Sequence, residues 1–295
     1  MNAAWMDSAP WFGQGRRINE NRALSSRPGL SFLATSGGRV RLRTQRAESK
    51  VKLLLAADGP NVIETYDALL AELNGKADVV VFEPPGTGAS APTRGFDFSV
   101  ASFTKLSLEV LAAVGPRTLV FPCYLGLIAQ EVARADSSRA PRLVLPQTPS
   151  WSDLARWAQT VDPKRVLRTP VVGQLLVATR RRKIAEGWYA ASTGARHFRA
   201  PFISASREAF ALGGCFCLAS LMQGLERSPA PAALAPTVAT AIVWGARDRT
   251  HRHSDPHRSV AGAEVVRFDE CGHSPELEAP RRFVDWLLDW HGVQA

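Results

Sequence analysis

The chain has 295 residues, 45% of them hydrophobic, enough for one large core or a core with a small subdomain. No stretch approaches the ~18 uninterrupted apolar residues of a membrane span, and "MNAAWMDSAPWFGQGRR" lacks a secretory layout because Asp7 and Pro10 interrupt it. The net charge of +9 is uneven: residues 1–50 carry nine Lys/Arg against three acids, residues 149–235 twelve against five, and the remainder is mildly acidic. No recognition helix, zinc knuckle or aromatic-basic sheet motif accompanies this charge, so nucleic acid is not an expected partner. A solvated face, or attraction of an anionic substrate or acidic carrier, remains.

Four cysteines, Cys123, Cys215, Cys217 and Cys271, show no zinc-ligand spacing, and Cys215 and Cys217 sit too close for an ordinary disulfide. A reducing, cytoplasmic setting fits them best.

Residues 1–28 read as an irregular N-terminal extension. "GLSFLATSGGRVRLRTQ" predicts a hairpin turning at Ser36-Gly37-Gly38. "VKLLLAA" and "DVVVFEPPG" are continuous apolar runs, as in strands buried on both faces. Between them Ile63, Tyr66, Leu69, Leu70 and Leu73 predict a helix stopped near Gly75. Residues 99–114 predict a second, amphipathic helix. "LVFPCYLGLIAQEVA" (119–133) then passes from strand to helix across Pro122 and Cys123. "RLVLPQT", "TAIVWGARD" and "EVVRFDECGH" add strands, and "ELEAPRRFVDWLLDWH" the last helix, which Glu278 and Pro280 are placed to start. Alternating strands and helices predict an α/β fold, a mostly parallel central sheet with helices on both faces.

The alternation stops between 149 and 235, where Trp151, Trp157, Trp188 and the run Arg180-Arg181-Arg182-Lys183 fall among helical patterns. This stretch, closing in the linker "SPAPAALAP", reads as an inserted helical cap. The core is then 29–148 together with 236–295.

Four landmarks give the chain a family resemblance over roughly 29–292. "FEPPGTGAS" resembles the Asp-x-Pro-Gly-x-Gly-x-Ser turn of α/β-hydrolases, with Glu83 for Asp. "CYLGLIAQ" resembles their nucleophile corner, "IVWGARD" the strand that delivers the triad acid, and "CGHSPELEAP" the loop that delivers the histidine. Tyr124 would fall at the nucleophile if Gly126 closed a G-x-S-x-G motif. "LGLIAQ" instead matches the family's Ser-x-Gly-Gly-x-Ile-Ala-Gln with Gly126 as its later glycine, which places Cys123 there. The resemblance thus implies a Cys123–His273–Asp248 triad, with the backbone N–H groups of Gly59 and Tyr124 as oxyanion donors and no cofactor.

A thiol at a helix N-terminus beside a histidine is biased toward thiolate, and an acid behind the histidine would stabilise its cation. Against this, Phe121 and Leu125 replace small residues flanking the nucleophile and should strain or widen the corner. Asp58 would oppose an oxyanion. The expected activity is ester or thioester hydrolysis, or acyl transfer, with the cap tryptophans lining the pocket. The alternatives are a lyase or cyclase using His273 alone, and a ligand-binding pseudo-hydrolase. No metal site is expected, because His251, His253 and His257 lack companion acids or cysteines at ligand spacing.

Overall fold

The computed structural model describes residues 3–9, 12–14, 18–231 and 237–293. Eight strands form the main sheet: β1 (Leu30–Thr35), β2 (Gly38–Gln45), β3 (Lys52–Ala56), β4 (Asp78–Phe82), β6 (Thr118–Val120), β7 (Arg142–Pro146), β9 (Ala239–Gly245) and β10 (Glu264–Phe268). Two short strands, β5 (Thr87–Gly88) and β8 (Cys215–Phe216), pair apart from it. The order in the main sheet is β1-β2-β4-β3-β6-β7-β9-β10. Within it β2 pairs antiparallel with β1 and β4, and the other neighbouring pairs are parallel.

Strand residues divide by the period of two. Leu54, Val80 and Leu119 enter one apolar cluster, with Phe103 and Leu106 of α3 (Val100–Val114) and Ile128 and Val132 of α4 (Tyr124–Ala135). Leu53, Leu55, Val79, Val81 and Val120 enter the other. It also holds Leu69 and Leu73 of α2 (Asp67–Leu73), Leu277 of α9 (Pro275–Glu278) and Leu287 of α10 (Pro280–Trp290). A sheet covered on both faces needs apolar residues at every position, hence the uninterrupted runs.

The N-terminal segment is less irregular than its composition suggests. It contains a 3-10 turn, Ala4–Met6, and α1 (Glu20–Ser25), capped by the Asn19 side chain. Asp7 and Gln14 are buried. Asp7 accepts from Ser220 Oγ at 2.5 Å and from Gln14 Nε2 at 3.2 Å, while Gln14 Oε1 accepts from the Phe216 N–H at 3.0 Å. Composition gave no hint of the partners at 216 and 220, which lie some two hundred residues away.

Between β7 and β9 the chain forms α5 (Trp151–Val161), α6 (Val172–Ser192), α7 (Arg199–Ala211) and α8 (Leu218–Arg227). This stretch is not wholly helical, because β8 pairs antiparallel with β5 in the turn after β4. A two-residue pairing has no periodicity for a sequence reading to detect. Of the linker expected at 228–236, residues 232–236 lie outside the described residues.

A buried ion cluster ties the loops at one end of the sheet. The Arg41 guanidinium on β2 meets Glu64 at 2.8 and 3.0 Å and Glu83 at 2.5 and 3.0 Å, all three residues being buried. Glu83 also accepts from the Ile63 and Ala89 N–H groups, at 3.1 and 2.7 Å. A Cβ on Gly88, whose φ is +53°, would lie 2.2 Å from Glu83, so the turn closes around the carboxylate only with glycine. Arg41→Met would leave two buried carboxylates unpaired and should destabilise the fold by about 3–5 kcal/mol in chemical unfolding. A loss below about 1 kcal/mol would show that the cluster does not hold the loops.

Candidate active site

Cys123 stands between β6 and α4 with φ +53° and ψ −132°, a conformation costly for any residue but glycine. Its N–H donates to the Pro146 carbonyl at 2.9 Å, and the Gly126 N–H donates to its own carbonyl at 3.0 Å. The corner is therefore tight, and of the two expected outcomes, strain or widening, it shows a strained backbone. Phe121 turns into the core against Phe82, with ring centroids 5.6 Å apart, and Leu125 is buried as well. The close approach falls instead at Gly126, where a Cβ would sit 1.9 Å from Thr148 Oγ1.

The loop after β9 delivers Asp248 and the loop after β10 delivers His273. Nδ1 of His273 lies 2.7 Å from Asp248 Oδ2, and Asp248 Oδ1 accepts from the N–H and hydroxyl of Thr250 at 2.8 and 2.7 Å. Cys123 Sγ and a ring nitrogen of His273 are within 4.8 Å of each other. The three residues predicted as a triad thus converge from three separate loops, all buried. Asp58, at the end of β3, meets His273 from the opposite side, with Oδ2 3.4 Å from Nε2.

Burial dominates the electrostatics. It would push the Asp248 carboxyl up, but the charge and hydrogen bond of His273 hold it below its ordinary range. Burial would likewise discharge His273, yet Asp248, Cys123 and Asp58 together hold it well above the usual imidazole value. Burial and the Asp58 charge push the Cys123 thiol up to about 11, against the opposing pull of His273. Asp58 is itself raised by burial. Burial and Asp58 thus oppose the thiolate that a helix N-terminus and a neighbouring histidine would favour.

Above Cys123 lies a cavity of about 350 Å³. Gly59 and Tyr124, predicted as oxyanion donors, border it, as do Trp157 and Trp188. Trp188 packs edge-on to His273 at 5.0 Å, and Trp157 stacks on His251 at 6.0 Å. Trp151 does not reach this space; it lines an adjoining cavity of about 180 Å³ that Trp157 and Leu154 share. A wider hollow of about 1000 Å³ beside α3 and α8 holds none of the reactive groups.

Several residues take roles the sequence left unread. His251, expected in a polar loop, is buried and stacks on His273 at 5.3 Å. Glu278 is a loop clamp rather than a helix starter, accepting from the N–H groups of Gly194 at 2.8 Å and Gly272 at 2.9 Å. Its neighbour Glu276 is buried with neither carboxylate oxygen hydrogen-bonded within the protein. Cys271 packs in the core, and all four cysteines are free and buried.

This arrangement, a mostly parallel eight-stranded sheet with a strained corner after β6 and acid and histidine on later loops, is the α/β-hydrolase fold. Solved structures agree. A thermophilic esterase from Thermogutta terrifontis superposes with a TM-score of 0.65 at 18% identity, covering 89% of this chain and 98% of that one. A single-residue mutant of a putative epoxide hydrolase from Pseudomonas aeruginosa gives 0.70 at 16% identity over 90% and 96%. A haloalkane dehalogenase loop variant from Bradyrhizobium elkanii gives 0.67 at 15% identity over 89% and 96%. No protein-family model matches the chain, and no curated protein matches it in sequence. Among the described residues no helix is long and apolar enough to cross a membrane.

Burial pushes Glu276 up to about 8 from an ordinary 4.5. A carboxyl raised in the folded state binds more protons there than when unfolded, so stability is lost as pH rises from about 4.5 to 8. Glu276→Gln should therefore gain on the wild type between about pH 5 and pH 8, by on the order of 1–3 kcal/mol. Parallel melting curves at the two pH values measure this, and an unchanged difference would place the carboxyl in contact with water.

Proposed function

We propose that the chain is an α/β-hydrolase-fold enzyme that attacks the acyl carbonyl of an ester or thioester with Cys123. One observation carries this reading: Cys123 is held in a strained corner, beside the His273–Asp248 pair, at the edge of an apolar cavity. No packing requirement of a small core residue accounts for that backbone cost.

In the reaction, the neutral form of His273 takes the thiol proton as the S–C bond forms. Oxygen charge then collects toward the N–H groups of Gly59 and Tyr124. His273 returns the proton to the leaving alcohol or thiol as its bond to the acyl carbon breaks, and Asp248 stabilises the imidazolium meanwhile. Water, or a second acceptor, then takes the acyl group from sulfur.

The cavity supports an apolar acyl group: Leu154, Ile184, Leu221, Met222 and Leu225 line it along with the tryptophans. Val161, exposed and also lining the cavity, leads to the exposed Val166, Val171, Val172, Leu175 and Leu176. Arg180 is exposed farther along α6, near Arg182 and Lys183, and this basic run would favour an anionic or carrier-bound substrate. Arg181 differs from them: it donates to the Gly214 carbonyl at 2.6 Å and lies over the Phe210 ring.

The Asp58–His273 contact favours a second reading. A histidine whose Nε2 faces a carboxylate is poised to pass protons, as in a lyase or cyclase step with no covalent intermediate. The two readings separate on Cys123→Ala, assayed with p-nitrophenyl esters and acyl thioesters of graded chain length. Covalent attack predicts a loss of at least about 10³-fold in kcat with substrate binding retained. It also predicts an acyl adduct on wild-type Cys123 by intact mass. Near-full turnover in Cys123→Ala together with inactivity of His273→Ala would establish the acid–base reading instead.

A further inference from the structure

We infer that Cys123, His251 and His273 form a binding site for a soft divalent cation of the zinc class, and that occupancy silences the cysteine. The three residues come from different loops, at 123, 251 and 273, so no spacing in the sequence announces them. Sγ of Cys123 and one ring nitrogen of each histidine lie within 4.8 Å of one another, and all three residues are buried. In a tetrahedral zinc site with bonds of about 2.0–2.3 Å, donors stand roughly 3.4–3.7 Å apart. Closure by on the order of 1 Å per pair, within reach of side-chain rotation, completes the geometry.

The histidines are oriented as metal ligands are. His273 offers Nε2 because Nδ1 is engaged by Asp248 at 2.7 Å, a carboxylate–histidine arrangement that fixes tautomer and ring angle. His251 has Nδ1 engaged by Ser254 Oγ at 3.1 Å, and its Nε2 is buried with no hydrogen-bond partner in the protein. A buried acceptor or donor left without a partner is uncommon and costs stability, so an orphaned nitrogen on an imidazole that stands beside a thiol and a second imidazole points to a ligand. The fourth position of a tetrahedral site would go to water or an added ligand. One thiolate and two imidazoles suit zinc or cobalt and not magnesium or calcium, which prefer all-oxygen shells.

Binding would release to solvent the thiol proton and any proton on the ligating imidazole nitrogens, the cation taking their place. The sulfur and His273 lone pairs would then both be held by the metal, and these are the two that acyl attack requires. The silencing half of the inference rests on the covalent reading of function; the site itself does not.

The test uses the full chain, stripped with a chelator and titrated with Co²⁺ and then Zn²⁺. One Co²⁺ should bind per chain, with a thiolate-to-cobalt charge-transfer band in the near ultraviolet that Zn²⁺ abolishes. Cys123→Ser should remove that band. His251→Gln should weaken Co²⁺ binding at least about tenfold. Circular dichroism of both variants separates loss of a ligand from loss of the fold, and Cys123→Ser, being nearly isosteric, preserves the test if His251→Gln unfolds. Absence of the band, or the same band in Cys123→Ser, would overturn the site. Stoichiometric Zn²⁺ should also protect Cys123 from iodoacetamide, reversibly on chelation. Labelling indifferent to saturating Zn²⁺ would overturn the silencing. Neither readout uses substrate, so both stand or fall separately from the acyl chemistry.

Discussion

The buried Arg41 guanidinium is the interaction on which the end of the sheet that carries Cys123 depends. It reaches from β2 to Glu64, just beyond the loop that follows β3, and to Glu83 in the turn after β4, and it also donates to the Ala23 carbonyl at 3.2 Å. Asp58 and Gly59 lie in that loop, and Thr87 and Gly88 in that turn. The position of Gly59, the proposed oxyanion donor, relative to Cys123 is thus set partly by a charge cluster outside the cavity. Paired buried charges of this kind add little net stability, but they fix geometry because removing one partner leaves the others uncompensated.

Around the reactive group itself, desolvation and paired charge oppose each other. Two carboxylates face the two nitrogens of His273 and favour its cation, while burial and one of those carboxylates, Asp58, disfavour the Cys123 thiolate. Reactivity would have to be switched on by whatever displaces or neutralises Asp58, which makes that single carboxylate the point where ligand chemistry and nucleophile strength meet.

The sequence carried the sheet well, because strands covered on both faces must be apolar at every position, as Leu53 to Ala56 and Val79 to Phe82 are. It carried the convergence of Cys123, Asp248 and His273 as well, since each follows a short apolar strand and the loops come in a recognisable order. What it did not carry shares one property, dependence on distant partners without a local period. The two-residue strand at Cys215, the burial of Asp7, the clamp from Glu278 to Gly194 and the placement of His251 on His273 each join segments far apart in the chain. Trp151 shows the converse. Its residue type was right for a pocket, but its position on the first turn of α5 directs it into the adjoining cavity.

The N-terminal segment also bears on how anything gets in and out. Asp7, Gln14 and Asn19 bond to Ser220, Phe216 and Leu212 in the second half of the insertion, while β8 is stitched to the turn after β4. The insertion is accordingly fastened along that flank, and at α5 as well, where Asp153 accepts from the Asp255 N–H and Arg156 donates to the His253 carbonyl. Traffic to Cys123 would pass where α5 gives way to α6 and valine and leucine side chains already meet water. Selection among substrates would then be exercised by what tolerates that apolar threshold, before any group at the corner is encountered.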